Sequence, residues 1–185
     1  MPRIALLYSS VDGQTKKICS RLETVLRSRQ LQPEVFSIAE FDKSVSEFDM
    51  IILGASVRYG KHHKLVQEFV ENNRKDLGQV YTVFFSVNLV ARKEDKNTPD
   101  ANPYLQKFLK ETGWNPDFLG VFAGQLDYSK YGFWDKLMIK LIMKLTHGPT
   151  KTETAIEYTQ WERVQEFGEE IAKSISERPE QQPIS

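Results

Sequence analysis

Cysteine is almost missing from this 185-residue chain: Cys19 stands alone. An intrachain disulfide and a thiolate metal cluster are therefore excluded. Cys19 falls inside a helical pattern, where it is expected to pack as a small hydrophobe. Histidine is scarce as well. His62 and His63 are adjacent rather than one helical turn apart, and His147 is remote, so no metal site is expected. Surface or capping roles suit the adjacent pair, with a proton relay as the sharper alternative. Excess charge of either sign is lacking, with 25 Lys and Arg against 25 Asp and Glu, which removes any global case for nucleic acid binding. No apolar segment approaches the ~20 residues needed to span a bilayer. Met1-Pro2-Arg3 leads directly into a short apolar run, so no signal peptide is expected and a cytoplasmic location is predicted. Internal repeats, a second domain and a Gly-x-Gly-x-x-Gly fingerprint are also missing.

What is present is organised around Ser9-Ser10-Val11-Asp12-Gly13-Gln14-Thr15. This stretch follows the apolar run Ile4-Ala5-Leu6-Leu7-Tyr8 and precedes a helical pattern. A buried strand running through hydroxyls and glycine into a helix is an anion-binding arrangement. The helix N-terminus offers unpaired N–H groups and the positive end of its dipole. Ser10 and Thr15 add hydroxyl donors, and Gly13 permits φ > 0 or close approach of an anion.

Further along, apolar runs alternate with helical periodicity. Strands are predicted over 4–8, 33–38, 49–54, 79–86 and 118–123, with helices over 14–30, 62–74, 99–112, 134–145 and 159–176. In the helix over 62–74, Leu65, Phe69 and Val70 are expected to face inward. A short strand piece is expected near 154–158. Strands alternating with helices imply right-handed crossovers and an α/β fold. The expected architecture is a doubly wound five-stranded parallel sheet of order 2-1-3-4-5, with a helical insertion after strand five. In such a sheet the ligand lies beyond the carboxyl ends of the strands, which selects the loops 9–15, 55–61 and 87–97. One domain over 3–175 is expected, with an insertion over 125–153 and a flexible tail over 176–185.

The first loop, Ser10-Val11-Asp12-Gly13-Gln14-Thr15, resembles the flavodoxin phosphate loop Thr/Ser-x-Thr-Gly-x-Thr, with Asp12 where that pattern has a hydroxyl. A carboxylate there would be repelled by phosphate, so Asp12 is expected to turn away and cap the helix or a backbone N–H. Three more segments extend the resemblance: Gly54-Ala55-Ser56-Val57-Arg58-Tyr59-Gly60, Ser86-Val87-Asn88-Leu89-Val90-Ala91-Arg92-Lys93, and Met138-Ile139-Lys140-Leu141-Ile142-Met143-Lys144. In this order they resemble the flavodoxin-like, quinone-dependent protoporphyrinogen oxidases of bacteria, over about residues 3 to 175. The resemblance implies FMN as cofactor, protoporphyrinogen IX as substrate in haem synthesis, and menaquinone or ubiquinone as electron acceptor.

On that reading Ser10 to Thr15 hold the FMN phosphate. Ser56 and Tyr59 flank one side of the isoalloxazine, and Tyr59 can stack on it. Ser86, Val87, Asn88, Leu89, Val90 and Ala91 pass the other face and edge, with Asn88 meeting the pyrimidine. Arg58 can stabilise charge on reduced flavin or pair with a propionate, and Arg58 and Tyr59 are the catalytic candidates. Arg92, Lys93 and Lys96 suit an anionic substrate. In the insertion, Lys136, Lys140 and Lys144 recur every four residues, while Leu137, Met138, Ile139, Leu141, Ile142, Met143 and Leu145 cover the rest, with Phe133 and Trp134 leading in. Such a helix is about 18 Å long, too short to cross a membrane. It fits either a monotopic helix with lysines toward anionic headgroups or quinone, or a helix packed on the domain with lysines in water. The family context favours a peripheral position at the cytoplasmic face of the inner membrane. A flavodoxin-type electron carrier and an FMN quinone reductase are the competing functions. The neutral charge and the basic, apolar insertion count against the carrier.

Overall fold

In the computed structural model, residues 1–126, 137, 144 and 156–177 are described. The elements are β1 (Ile4–Ser9), α1 (Gln14–Ser28), β2 (Pro33–Ser37), β3 (Met50–Arg58), β4 (Lys61–His62), α2 (Lys64–Asn72), α3 (Arg74–Leu77), β5 (Tyr81–Val87), α4 (Pro103–Thr112), β6 (Phe118–Phe122), β7 (Gln125–Leu126), β8 (Ile156–Glu157) and α5 (Trp161–Ser176). The main parallel sheet runs β2-β1-β3-β5-β6, which is the expected doubly wound order.

Apolar residues on both faces of these strands create two cores. Ile4, Leu6, Ile52 and Phe85 pack under α1 and α5, against Leu22, Leu26, Val164 and Ile171. Leu7, Ile51, Leu53 and Phe84 pack under α2 and α4, against Val66, Val70, Leu105 and Phe108. Burial of each such side chain contributes about 1.5–3 kcal/mol, which outweighs the modest helix propensity of the segments. Cys19 lies fully inside the first core. Burial, reinforced by nearby Glu23, pushes its thiol well above the ordinary range. Cys19 is therefore expected to resist a thiol-exchange reagent in the native protein and to react fully in denaturant; rapid native labelling would contradict this packing.

Four expectations need correction. The segment over 55–61 is not an open loop: β3 continues to Arg58 and turns back through Tyr59 and Gly60 into β4. Val57 pairs His62 and Arg58 pairs Lys61, antiparallel. Both turn residues have positive φ, 52° at Tyr59 and 75° at Gly60, the twist that suits a two-residue hairpin. His62 therefore ends a strand rather than starting a helix, and His63 caps α2 by accepting the Leu65 N–H at 3.3 Å. In α2 Val70 is buried and Phe69 packs against the same core, as expected, but the third inward residue is Val66, one turn before Val70, and Leu65 is exposed. Finally, α4 starts at Pro103, not at 99: Asn102 caps it, and proline at the first helical position sacrifices no hydrogen bond.

β7 and β8 form a separate antiparallel pair, Gln125 with Glu157 and Leu126 with Ile156, which brackets the insertion. The expected strand near 154–158 is thus present over Ile156–Glu157. Trp134, Lys136 and Lys140 lie outside the described residues, as does most of the predicted helix over 134–145. Leu137 and Lys144 are helical and exposed.

Candidate functional site

Parallel register brings the predicted loops together. Ser9 pairs Ala55, Ala55 pairs Ser86, and Ser86 pairs Val121, forming one row across four strands. Directly beyond this row the chain leaves β1 into the Ser10–Gly13 turn, follows β3 into the hairpin, and leaves β5 into the 88–92 turn. The switch point between β1 and β3 lies at the centre.

The first loop is built as an anion cradle. Gly13 is the N-cap of α1, with φ of 91°, and no side chain caps that turn. The expectation that Asp12 caps the helix is thereby corrected: glycine in the left-handed region occupies the cap, and Asp12 precedes it. Ser10 Oγ accepts the Gly13 N–H at 3.0 Å, which holds the turn and leaves the hydroxyl proton as a donor. A Cβ on Gly13 would meet nothing within 4 Å, so the backbone faces open space. Val11 is exposed.

Two buried polar atoms at this loop have no protein partner, Thr15 Oγ1 and Gln14 Oε1. Thr15 is fully buried, and an unpaired buried hydroxyl costs about 1–3 kcal/mol. A phosphate monoester over the first turn of α1 would repay that deficit through Thr15 Oγ1, Ser10 Oγ and the amides of the first turn. The donor set is complete for such a group, and FMN carries one. The Gln14 side chain, expected among the cofactor residues, turns elsewhere. Its Nε2 donates to Glu157 Oε1 and Thr159 Oγ1, both at 2.8 Å, and Thr159 donates to Ala123 O. Lys17 Nζ also donates to Gln125 Oε1 at 3.4 Å. The start of α1 is thus tied to β7–β8 at the base of the insertion.

On the hairpin, Ser56 Oγ donates to Ser9 O at 3.4 Å and links β3 to the first loop. Tyr59 is exposed at the tip, and the Arg58 guanidinium lies 5.3 Å from its ring centroid. This contact places the two catalytic candidates side by side.

The third loop differs most from expectation. Asn88 is buried and does not offer its side chain to a pyrimidine. Its Oδ1 accepts from Ala91 N and Asn102 Nδ2, each at 3.1 Å, and its Nδ2 donates to Ser86 Oγ at 3.0 Å and Asn102 Oδ1 at 3.2 Å. Ser86, Val87 and Ala91 are likewise buried, while Leu89 and Val90 are half-buried. Arg92 donates to Leu89 O at 2.9 Å and lies over Tyr158 at 5.9 Å, so it shapes this turn.

One residue of the site region carried no clear sequence signal. His62 packs against the touching pair Phe84 and Phe108, ring centroids 5.5 and 4.8 Å away, with Nε2 2.9 Å from Ser86 Oγ. Burial lowers its pKa from 6.5 to about 4, so it is neutral at physiological pH. Among the described residues no three His, Cys, Asp or Glu side chains are grouped to hold a metal ion.

A doubly wound sheet with an anion cradle after its first strand, flanked by an aromatic-tipped hairpin, defines the class of flavodoxin-like phosphate-binding domains. The model of the flavodoxin domain matches residues 5–153. The chain is 42% identical over 175 residues to the protoporphyrinogen IX dehydrogenase [quinone] of Escherichia coli strain K12, covering 94% of this chain and 96% of that one. It is 38% identical to the relative of that name from Leishmania major, covering 92% of this chain and 75% of the relative. A two-electron reduced flavodoxin of Megasphaera elsdenii superimposes with a TM-score of 0.54 at 15% identity, covering 92% of this chain and 98% of that one. An archaeal flavodoxin gives 0.53 at 14% identity, with 94% and 99% covered. The chain belongs to the flavodoxin-domain family and, within it, to the group of the quinone-linked protoporphyrinogen IX dehydrogenases.

Proposed function

We propose that this protein binds FMN and oxidises protoporphyrinogen IX to protoporphyrin IX with a respiratory quinone as acceptor. The observation that carries the reading is the orphaned Thr15 hydroxyl in a cradle at the switch point, in a chain 42% identical to a relative of that activity. FMN, when bound, supplies the two-electron redox chemistry. The protein's own part is binding and electrostatics. Ser10, Gly13 and Thr15 hold the phosphate. Tyr59 offers an aromatic face, and Arg58 offers a cation for a substrate propionate or for negative charge that develops nearby. The test is anaerobic addition of protoporphyrinogen and a menaquinone analogue to the purified yellow protein. Porphyrin fluorescence should rise only with both protein and quinone. A flavin that cycles with redox proteins but yields no porphyrin would return the chain to the electron carriers.

Thr15→Val tests the cradle. The substitution keeps shape but removes a hydrogen bond to a charged group, worth about 1.5–3 kcal/mol, so FMN should bind roughly ten- to a hundred-fold more weakly in a fluorescence titration. The FMN-free variant should melt no lower than wild type, because the unpaired buried hydroxyl is gone. Unchanged FMN affinity would remove Thr15 from the site.

The insertion is proposed to seat the protein peripherally on an anionic membrane at the cytoplasmic face of the inner membrane, where its quinone partner dissolves. Supporting this are the lysine spacing and the exposure of Leu137, a large apolar side chain 51% accessible on a helical residue. Reversing Lys136, Lys140 and Lys144 to glutamate should abolish co-sedimentation with vesicles rich in phosphatidylglycerol, each lysine contributing about 1 kcal/mol. FMN affinity should stay as it was. Undiminished sedimentation would refute this role.

A further inference from the structure

Two walls of the candidate flavin site come from separate elements, the 57–62 hairpin and the 88–92 turn. Neither is stable by itself. The hairpin has only two ladder pairs, Val57–His62 and Arg58–Lys61, and a tyrosine at positive φ in its turn. Isolated hairpins of this size are marginal in water. The 88–92 turn is a short 3-10 segment whose cap is the Asn88 side chain. What joins them is His62. Its ring packs edge-on against both Phe84 of β5 and Phe108 of α4, which also touch each other with centroids 4.9 Å apart, and its Nε2 meets Ser86, the residue to which Asn88 donates.

The hydrogen-bond roles in this chain are determined by counting. Ser86 Oγ accepts from Asn88 Nδ2 and is fully buried, and among the described residues His62 Nε2 is the one hydrogen-bond partner left to take its proton, which assigns Nε2 as the acceptor. Neutral His62 then carries its proton on Nδ1. Asn88 Oδ1 in turn takes the Ala91 N–H, and Asn102 completes the network by donating to Asn88 Oδ1 and to Lys96 O. A purely space-filling role against two phenylalanines would be served better by a third apolar ring. The histidine adds a directed acceptor, and without it a fully buried serine hydroxyl loses its acceptor.

We propose that His62 is a positioning residue that, through Ser86 and Asn88, locks the 57–62 hairpin to the 88–92 turn, so that the two walls of the flavin site move as one body. The inference rests on the FMN reading for its functional consequence, but the lock itself is a property of the protein without cofactor. The coupling holds the aromatic tip at Tyr59 at a set spacing from the backbone of Leu89 and Val90. Loss of it should widen the distribution of flavin poses rather than remove a flavin contact.

The test compares His62→Ala, His62→Gln, Ser86→Ala and the double variant His62→Ala/Ser86→Ala. Three readouts apply: amide hydrogen exchange of the FMN-free protein, FMN affinity, and the visible circular dichroism of bound FMN. His62→Ala and Ser86→Ala should each raise exchange in both loops together, at Ala91 and across 57–62. Each should weaken FMN about ten-fold and alter the dichroism band. The double variant should be no weaker than His62→Ala, because both changes break one link. Glutamine, whose amide oxygen can accept the Ser86 proton, should restore affinity to within about three-fold. If exchange rises in the hairpin alone while 88–92 and FMN affinity are unaffected, or if the double loss is the product of the single losses, the lock is refuted. Should His62→Ala fail to fold, Ser86→Ala and His62→Gln, which keep the ring pocket filled, decide by the same readouts. Failure of wild type to bind FMN would overturn the functional reading, while the exchange arm still reports on the lock.

Discussion

Gly54→Ala is expected to be among the most damaging single-methyl additions this protein can receive. Gly54 lies in β3, paired on one side with Tyr8 and on the other with Phe85. A Cβ built there would stand 2.1 Å from Phe85 Cζ, and 2.6 and 2.7 Å from its Cε2 and Cε1. The Phe85 ring lies flat across the glycine and has no room to retreat. It is fully buried, edge-on to Phe122 at 5.7 Å and to Phe167 at 6.2 Å, and Phe167 stacks on Phe118 at 4.9 Å. Phe167 itself lies 2.7 Å from where a Cβ on Gly120 would be, so the aromatic layer is seated on two glycines, Gly54 of β3 and Gly120 of β6, that flank Phe85 of β5 in the sheet. Overpacking of a closed core costs about 1–3 kcal/mol and sometimes more, and here both strand and ring must shift. A loss of about 3 kcal/mol or more in urea unfolding of the FMN-free protein is expected, a large share of a typical total of 5–15 kcal/mol. Phe85→Leu in the same chain should recover part of it, since a smaller side chain makes room for the methyl. A loss under 1 kcal/mol for Gly54→Ala would show that the ring is not held over the glycine. The site should suffer too, because the next residue, Ala55, stands between Ser9 and Ser86 in the row from which all three loops depart.

How much of this was legible in the sequence follows from what each element depends on. Four of the five strands of the parallel sheet, all but the edge strand β2, are mostly apolar runs, because both faces are covered by helices, and such runs stand out against polar connections. The first loop was readable for the same local reason: hydroxyls, one glycine and a helix start are contiguous. The hairpin at 57–62 was harder. Arg58, Tyr59, Lys61 and His63 are polar or exposed, and only Gly60 hinted at a two-residue turn; a positive φ at Tyr59 has no composition signal. Asn102-Pro103 did carry the start of α4, as a cap followed by proline, but the preceding Pro99 offered an equally attractive start. The buried chain from His62 through Ser86 and Asn88 to Asn102 was not readable at all. Its members come from three separate segments and look like loop polarity one at a time. Only the fold reveals that they face each other, and it reverses the role expected of Asn88, from ligand contact to internal brace.

His62 also sets an expectation for acid. Its ring contacts are the Phe84 and Phe108 rings, both edge-on, and the Ser86 hydroxyl, and it lines a crevice of about 40 Å³ shared with Lys61, Tyr104, Lys107 and Glu111. Burial is the cause that lowers its pKa to about 4, against 6.5 for an exposed histidine. Between these two values the unfolded chain binds more protons than the native one. Stability therefore rises with pH across this window, is fully present above about 6.5, and is lost as pH falls toward 4. A difference of this size corresponds to about 3 kcal/mol in all, of which about 2.5 kcal/mol is gone at pH 4.5. The direction agrees with the hydrogen-bond pattern: protonation turns Nε2 from acceptor into donor and forces the Ser86 hydroxyl to give up its acceptor. Other groups also titrate in this range, and Glu34 adds acid lability of its own, because the hydrogen bond from Lys43 holds its carboxyl below the usual range. The His62 share is isolated by difference. Urea unfolding of wild type and His62→Gln at pH 7.5 and 4.5 should show a fall larger by about 2 kcal/mol in wild type, since glutamine does not titrate. An equal fall in the two proteins would mean that His62 is solvated and free to protonate in the native state, and its packing against Phe84 and Phe108 would then be wrong.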